Sequence, residues 1–318
     1  MITPFFILFG LMATGYFTRK FNWLDDDKNE GLGNILVHIA LPCLLLSSMI
    51  ENEVRGKVLI QFLIMTILSI AFYFLYGLLA LFYAKLARIP KKFESMVRVS
   101  MLTSNNGFMG FPITLAFFGQ PGLILMVANN LAMAVVLWSY GLFILKRSKR
   151  LYQEEENIEK TSLSESLKQI FNNTVIAAVL GLIISVTGIN SLIPDALVRL
   201  LSILGGLCTP LSMIYIGATL YNSSFSSLFR SPLVLGVSIT RLTVFAAITF
   251  GILWFLPVST LVKQVSLLVI TLPSAAIVPV MTAKYGIGGE EASKIVVLST
   301  LLSLAITPLG VYLALTFF

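Results

Sequence analysis

The chain has 318 residues, 57% of them hydrophobic and 12% charged, with 22 Lys and Arg against 15 Asp and Glu for a net charge of +7. A soluble domain carries about 25% charged residues, so a water-facing surface is excluded and lipid must cover the outside. The Lys and Arg sit in short connectors between apolar runs, which fits the rule for membrane orientation and speaks against nucleic acid as a partner.

A membrane helix needs about 20 mostly apolar residues. In chain order the candidate spans are 3–18, 31–50, 58–84, 95–118, 122–145, 171–188, 196–220, 232–256, 262–284 and 291–317. The expected fold is therefore an all-α membrane protein of ten transmembrane helices. The first span lacks the basic start and small-residue cleavage site of a signal peptide, so it reads as retained. Span 2 carries the single histidine, His38, four residues before Pro42. An imidazole titrates near neutral pH, so His38 is either a proton-coupling group or a hydrogen-bonded structural residue.

Span 4 contains Ser104-Asn105-Asn106-Gly107-Phe108-Met109-Gly110-Phe111-Pro112, a poor continuous helix. Early in span 5 lie Asn129 and Asn130. Asn130 either lines a cavity beside the interruption or bonds to a neighbouring helix. Trp138, Tyr140 and Trp254 read as interfacial aromatics. After span 5 comes the longest connector, Lys146 to Lys168, with Glu154-Glu155-Glu156. Span 7 holds Gly205-Gly206 beside Pro210, a pattern for close helix packing. The cysteines, Cys43 and Cys208, lie in apolar runs beside prolines. They read as small hydrophobes, and neither a disulfide, a metal site nor a cofactor is expected.

Arg241 falls ten residues into span 8. An Arg at a helix centre costs about 2.5–3.5 kcal/mol to insert, so something must offset it. Either it orients an anionic substrate, or it bonds the carbonyls of a broken helix. Span 9 contains Thr271-Leu272-Pro273-Ser274-Ala275-Ala276-Ile277-Val278-Pro279, interrupted by two prolines. The acidic residues all fall in loops or near span ends, which argues against a cationic substrate.

Features recur at a near-constant offset: Pro42 and Pro210 by 168 residues, Pro112 and Pro279 by 167, Gly119 and Gly286 by 167. The expected organisation is a five-helix repeat over 1–145, a connector over 146–170 and a second repeat over 171–318. Five spans is an odd number, so the second copy must be inverted in the membrane. Inverted repeats with matched discontinuous helices point to a secondary transporter whose site lies at the breaks. With the N-terminus outside, the inside loops hold 17 Lys and Arg and the outside connectors 4. Both termini are thus expected outside.

Proline removes a backbone donor and glycine loosens the chain. Unpaired backbone in a bilayer survives only against protein or a water-filled cavity. The restarted half-helices would offer free N–H groups and positive dipole ends, which suit a carboxylate. The candidate substrate-binding set is Asn105, Asn106, Pro112, Asn130, Arg241, Ser274 and Pro279, with His38 as the candidate coupling group.

The segment Asn105 to Pro112 resembles the fourth-span crossover of the auxin efflux carrier family. Pro273 to Pro279, followed by Ala283-Lys284-Tyr285, is similar to that family's ninth-span crossover. The resemblance implies a scaffold of spans 1, 2, 6 and 7, a moving transport domain made of the rest, and homodimers through the scaffold. It also implies that Asn105, seven residues before the crossover proline, contacts the substrate carboxylate. The short connector is similar to that of bacterial malate and malonate permeases rather than plant auxin exporters, which places the chain in a bacterial inner membrane. The related bile-acid sodium symporters use a ninth-span glutamate, which has no counterpart here. The coupling ion, proton or sodium, stays open.

The function expected is a carrier of small organic anions such as dicarboxylates. A channel or membrane sensor without carrier turnover is the alternative. An intramembrane enzyme would need catalytic pairs at depth, and no His-Glu-x-x-His, paired Asp or Ser/His pair occurs. No phosphate-binding glycine loop appears either.

Overall fold

A computed structural model describes residues 2–152, 169–221 and 225–318. The acidic run Glu154–Glu156 and most of the expected connector lie outside the described residues. All regular structure among the described residues is helical. Six stretches are long and apolar enough to cross a membrane by length and composition: 26–51, 57–86, 91–151, 195–221, 232–255 and 289–317. The helices at 173–187 and 260–271 are apolar but shorter. The stretch 91–151 takes in two expected spans, joined at Gly119.

In chain order the helices are α1 (Ile2–Lys20), α2 (Asp26–Ile35), α3 (Leu41–Glu51), α4 (Gly56–Leu86), α5 (Lys91–Leu102), α6 (Phe111–Val136) and α7 (Leu142–Tyr152). Then come α8 (Asn173–Thr187), α9 (Asp195–Gly206), α10 (Cys208–Tyr221), α11 (Phe225–Arg230), α12 (Pro232–Thr240) and α13 (Ala246–Phe255). The last three are α14 (Thr260–Thr271), α15 (Ile277–Lys284) and α16 (Gly289–Phe317). Wider π-turns interrupt the helices at Leu36–Ala40, Asn106–Gly110, Leu137–Gly141 and Arg241–Phe245. Such turns often mark functional positions. His38, Asn106, Tyr140 and Arg241 each sit on one.

Local chemistry explains the ends. Asp25 and Asn172 accept the N–H of Lys28 and Val175 and so start α2 and α8. Gly119 and Gly286 have φ of 60° and 67°. This left-handed conformation suits glycine; Gly119 kinks α6 into two helical segments, and Gly286 turns the chain between α15 and α16. Helix α7 runs to Tyr152, past the expected span end at 145. Lys149 and Arg150 fall in its last turn, where cations suit the helix dipole.

The helices group into two compact units that do not follow the halves of the sequence. Unit 1 comprises 1–66, 106–131 and 171–223. Within it, α1 crosses α10 at two glycines. A Cβ on Gly15 would lie 2.0 Å from the Ile214 carbonyl oxygen, and one on Gly217 would lie 1.9 Å from that of Met12. Helices α8 and α9 pack on α3, and a Cβ on Gly205 would meet the Leu44 backbone at 2.7 Å. Gly206 has open space beside it. Of the glycine pair singled out in span 7, only the first serves close packing.

Unit 2 comprises 67–105, 132–170 and 224–318. Its core joins Tyr73 and Tyr76 of α4, Met96 and Met101 of α5, Phe245 of the π-turn at Arg241–Phe245, Leu267 and Ile270 of α14, and Leu298 of α16. The Tyr76 hydroxyl bonds the Thr249 hydroxyl at 2.8 Å, so this buried phenol is satisfied.

Candidate functional site

Two helices of unit 2 stop short, and they stop together. Helix α5 ends at Leu102, and Thr103 turns extended (φ −99°, ψ 151°). Helix α14 ends at Thr271, and Leu272 turns extended (φ −69°, ψ 153°). Leu272 precedes Pro273, whose ring disfavours helical backbone at the preceding residue. The Asn105 N–H donates to the Pro273 carbonyl at 2.9 Å, so the two interrupted strands of backbone are bonded to each other.

A helix end leaves its last four carbonyls without donors. Here a fully buried arginine brings donors to the place where both helices end. Arg241 Nη1 donates to the Leu272 carbonyl and lies 3.4 Å from that of Ile270. Its Nη2 donates to the Thr103 carbonyl at 2.8 Å and the Ser104 hydroxyl at 2.7 Å. The guanidinium fork thus spans the ends of both helices and places positive charge where their two dipoles are negative. Of the two roles open to Arg241 in the sequence, this geometry is that of the carbonyl-bonding one.

Hydroxyls complete the accounting. Ser274 donates from Oγ to the Ser100 carbonyl at 2.8 Å and from its N–H to Ser299 Oγ at 3.1 Å. Thr307 Oγ1 donates to the Thr271 carbonyl at 2.8 Å. Ser299 and Thr307 belong to a buried row on α16 with Thr300 and Ser303. None of these residues is among the candidates expected from the sequence. Their signal is hydroxyls recurring at helical spacing in an apolar span. After the break, α15 starts at Ile277 with Pro279 in its first turn, where a missing N–H costs nothing.

Unit 1 holds the other part of the signature. Asn106 opens a π-turn that runs into α6, with Pro112 as the second residue of that helix. Asn106 Nδ2 donates to Asn129 Oδ1 at 2.9 Å, and both residues are buried. Asn130 is also buried, and among the described residues its side chain makes no hydrogen bond. Phe108 stacks on Tyr215 with ring centroids 4.9 Å apart. His38 lies on a separate π-turn with an exposed side chain, and its Nδ1 bonds Asn173 Nδ2 at 2.9 Å.

The structure therefore gathers Asn105, Arg241 and Ser274 in unit 2, with Pro279 opening the next helix. It places Asn106, Pro112 and Asn130 in unit 1. His38 bonds to none of them. Among the described residues, Arg19 and Arg241 are the buried charged groups, and no carboxylate is buried.

Comparison with known proteins agrees with a transporter. The family model described as "Membrane transport protein" matches residues 1–311. An uncharacterized transporter of Methanothermobacter thermautotrophicus is 24% identical over 302 residues, covering 94% of this chain and 93% of its own length. An uncharacterized transporter of Methanocaldococcus jannaschii is also 24% identical over 302 residues, with 94% of each chain covered.

Proposed function

The chain belongs to the membrane transport protein family, the auxin efflux carrier family that its crossover motifs resemble; from that premise we propose that this multi-pass membrane protein is a secondary carrier of small organic anions, dicarboxylates among them. One observation carries the reading. Two helices are broken side by side, and the chain spends a buried arginine and several hydroxyls to keep them broken. An unbroken helix would satisfy the same backbone without help. The break is therefore maintained for what it exposes: polar backbone and amide groups suited to a carboxylate.

Asn105 is the amide that meets the substrate carboxylate. The start of α15 supplies a positive dipole end, with the N–H groups of Ala276 and Ile277 as its backbone donors, since that of Val278 bonds the Ala275 carbonyl and Pro279 has none. Arg241 acts as a positioning residue, because its terminal nitrogens are spent on protein acceptors. In unit 1, Asn130 is the amide left to line a polar cavity, while Asn106 is held by Asn129.

The wider arrangement follows the family pattern. Two inverted five-helix repeats underlie the fold, and the left-handed glycines Gly119 and Gly286 at matching positions support it. Transport proceeds by alternating access with an elevator-like transport domain, the protein is a homodimer, and both termini lie outside the cell membrane. A gradient of protons or sodium drives it.

Counterflow tests the reading. Proteoliposomes loaded with unlabelled malate or malonate should accumulate the labelled anion transiently above equilibrium. Equilibration without overshoot, linear in concentration, would point to a channel instead.

A further inference from the structure

Unit 2 carries a second built site, at the start of α5 rather than at its broken end. A cavity of about 390 Å³ lies between the start of α5 and α7, lined by Lys91, Glu94, Ser95, Arg98, Tyr140 and Arg147 among others. Three cations there face one carboxylate. Glu94 is shared between Lys91 at 3.1 Å and Arg98 at 3.7 Å. Among the described residues Arg147 has no acidic partner. Two buried donors in the wall are also unmet: the Ser95 hydroxyl, in a residue only 5% exposed, and Arg98 Nε. An anion with several acceptor oxygens would satisfy both the charge and the donors.

The cavity shares a wall with a second one. Tyr140, whose hydroxyl accepts a hydrogen bond from Arg98, also lines a second, apolar cavity of about 320 Å³. That groove runs along α4 past Ile70, Phe74, Gly77, Leu78 and Leu81. Phe74 and Leu78 are 69% and 49% exposed on that face. The twelve residues from Ile70 to Leu81 span about 16 Å of helix, most of the length of an extended acyl chain. A basic pocket opening onto an apolar groove at a membrane boundary has the polarity profile of a phospholipid.

We propose that unit 2 binds an anionic glycerophospholipid, with its phosphate against Lys91, Arg98 and Arg147 and one acyl chain in the groove along α4. Charge complementarity selects the headgroup, and the shared Tyr140 marks where headgroup gives way to tail. Such basic pockets between spans are a recognised mode of lipid binding.

The test is thermal unfolding of the purified full chain in detergent, with added phosphatidylglycerol, phosphatidylcholine of the same acyl chains, or glycerol phosphate without chains. Phosphatidylglycerol should raise the Tm by several degrees, and the other two should leave it unchanged. Lys91→Gln with Arg147→Gln should remove the rise by weakening the headgroup contact. Leu78→Trp should remove it by filling the groove while all charges remain. Each variant's own lipid-free Tm shows that it folds. Equal stabilisation by phosphatidylcholine would overturn the proposal, as would a full phosphatidylglycerol effect in the double variant. An effect of glycerol phosphate alone would reduce the site to a free-phosphate site and overturn the lipid assignment. A parent Tm that phosphatidylglycerol leaves unchanged would also overturn it.

Discussion

The two units meet the same problem, backbone polarity inside an apolar protein, in opposite ways. At the crossing of α1 and α10 in unit 1 the helices are continuous, and what they need is space. Gly15 and Gly217 provide it by having no side chain. At the meeting of α5 and α14 in unit 2 the helices are interrupted, and what they need is donors. Arg241, Ser274 and Thr307 provide them. A contact made by removing atoms is stable and chemically silent. A contact made by adding polar atoms is costly to build and keeps a polar place open. The anion site proposed above is built on a contact of the second kind.

The largest expected effect comes from breaking the clasp. Arg241→Met leaves carbonyls at both helix ends without their donor, and each buried acceptor left unsatisfied costs about 1–3 kcal/mol. Thermal unfolding in detergent should show it, and Arg241→Lys should recover only part, because an ammonium lacks the fork that spans two helix ends. On the other side of the comparison, Gly15→Leu drives a side chain into the Ile214 carbonyl. Overpacking of this kind costs about 1–3 kcal/mol. It should lower the Tm without changing which anions compete for uptake.

Ser274→Ala removes one buried hydrogen bond, worth about 1 kcal/mol. It should raise the KM for the anion, which Gly15→Leu should leave unchanged. Asn106→Ala loses the bond to Asn129, with a cost near 0.6 kcal/mol for an interhelical bond of this type. The smallest effect belongs to His38→Gln. The side chain is exposed and bonded to Asn173, so the pH dependence of uptake should be unchanged.

Much of this was legible in the chain. The interruptions at Ser104–Pro112 and Thr271–Pro279 were visible because proline and glycine leave a local signature. Membrane residence was visible because 57% hydrophobic content cannot be hidden on a soluble surface. The role of Arg241 was open in the sequence because its partners are backbone carbonyls 29 to 138 positions away, and a carbonyl has no letter of its own. His38 was ambiguous for the same reason, since Asn173 is 135 positions distant. Gly205 and Gly206 are adjacent letters on different faces of one helix, and only the neighbour's position separates them. The extension of α7 to Tyr152 escaped a hydropathy reading because its last two turns are basic. The two units interleave segments from both halves, a grouping that order along the chain does not display.

The most direct measurement of the central claim is saturable dicarboxylate uptake by Asn105→Ala in proteoliposomes. The backbone bond from residue 105 to Pro273 survives this change, so the paired break should persist and the Tm should stay near that of the parent. Loss of a carboxylate contact of about 1.5–3 kcal/mol should raise the KM at least about tenfold. Uptake with parental KM and rate in a folded Asn105→Ala protein would contradict the account, because the polar break would then serve no anion.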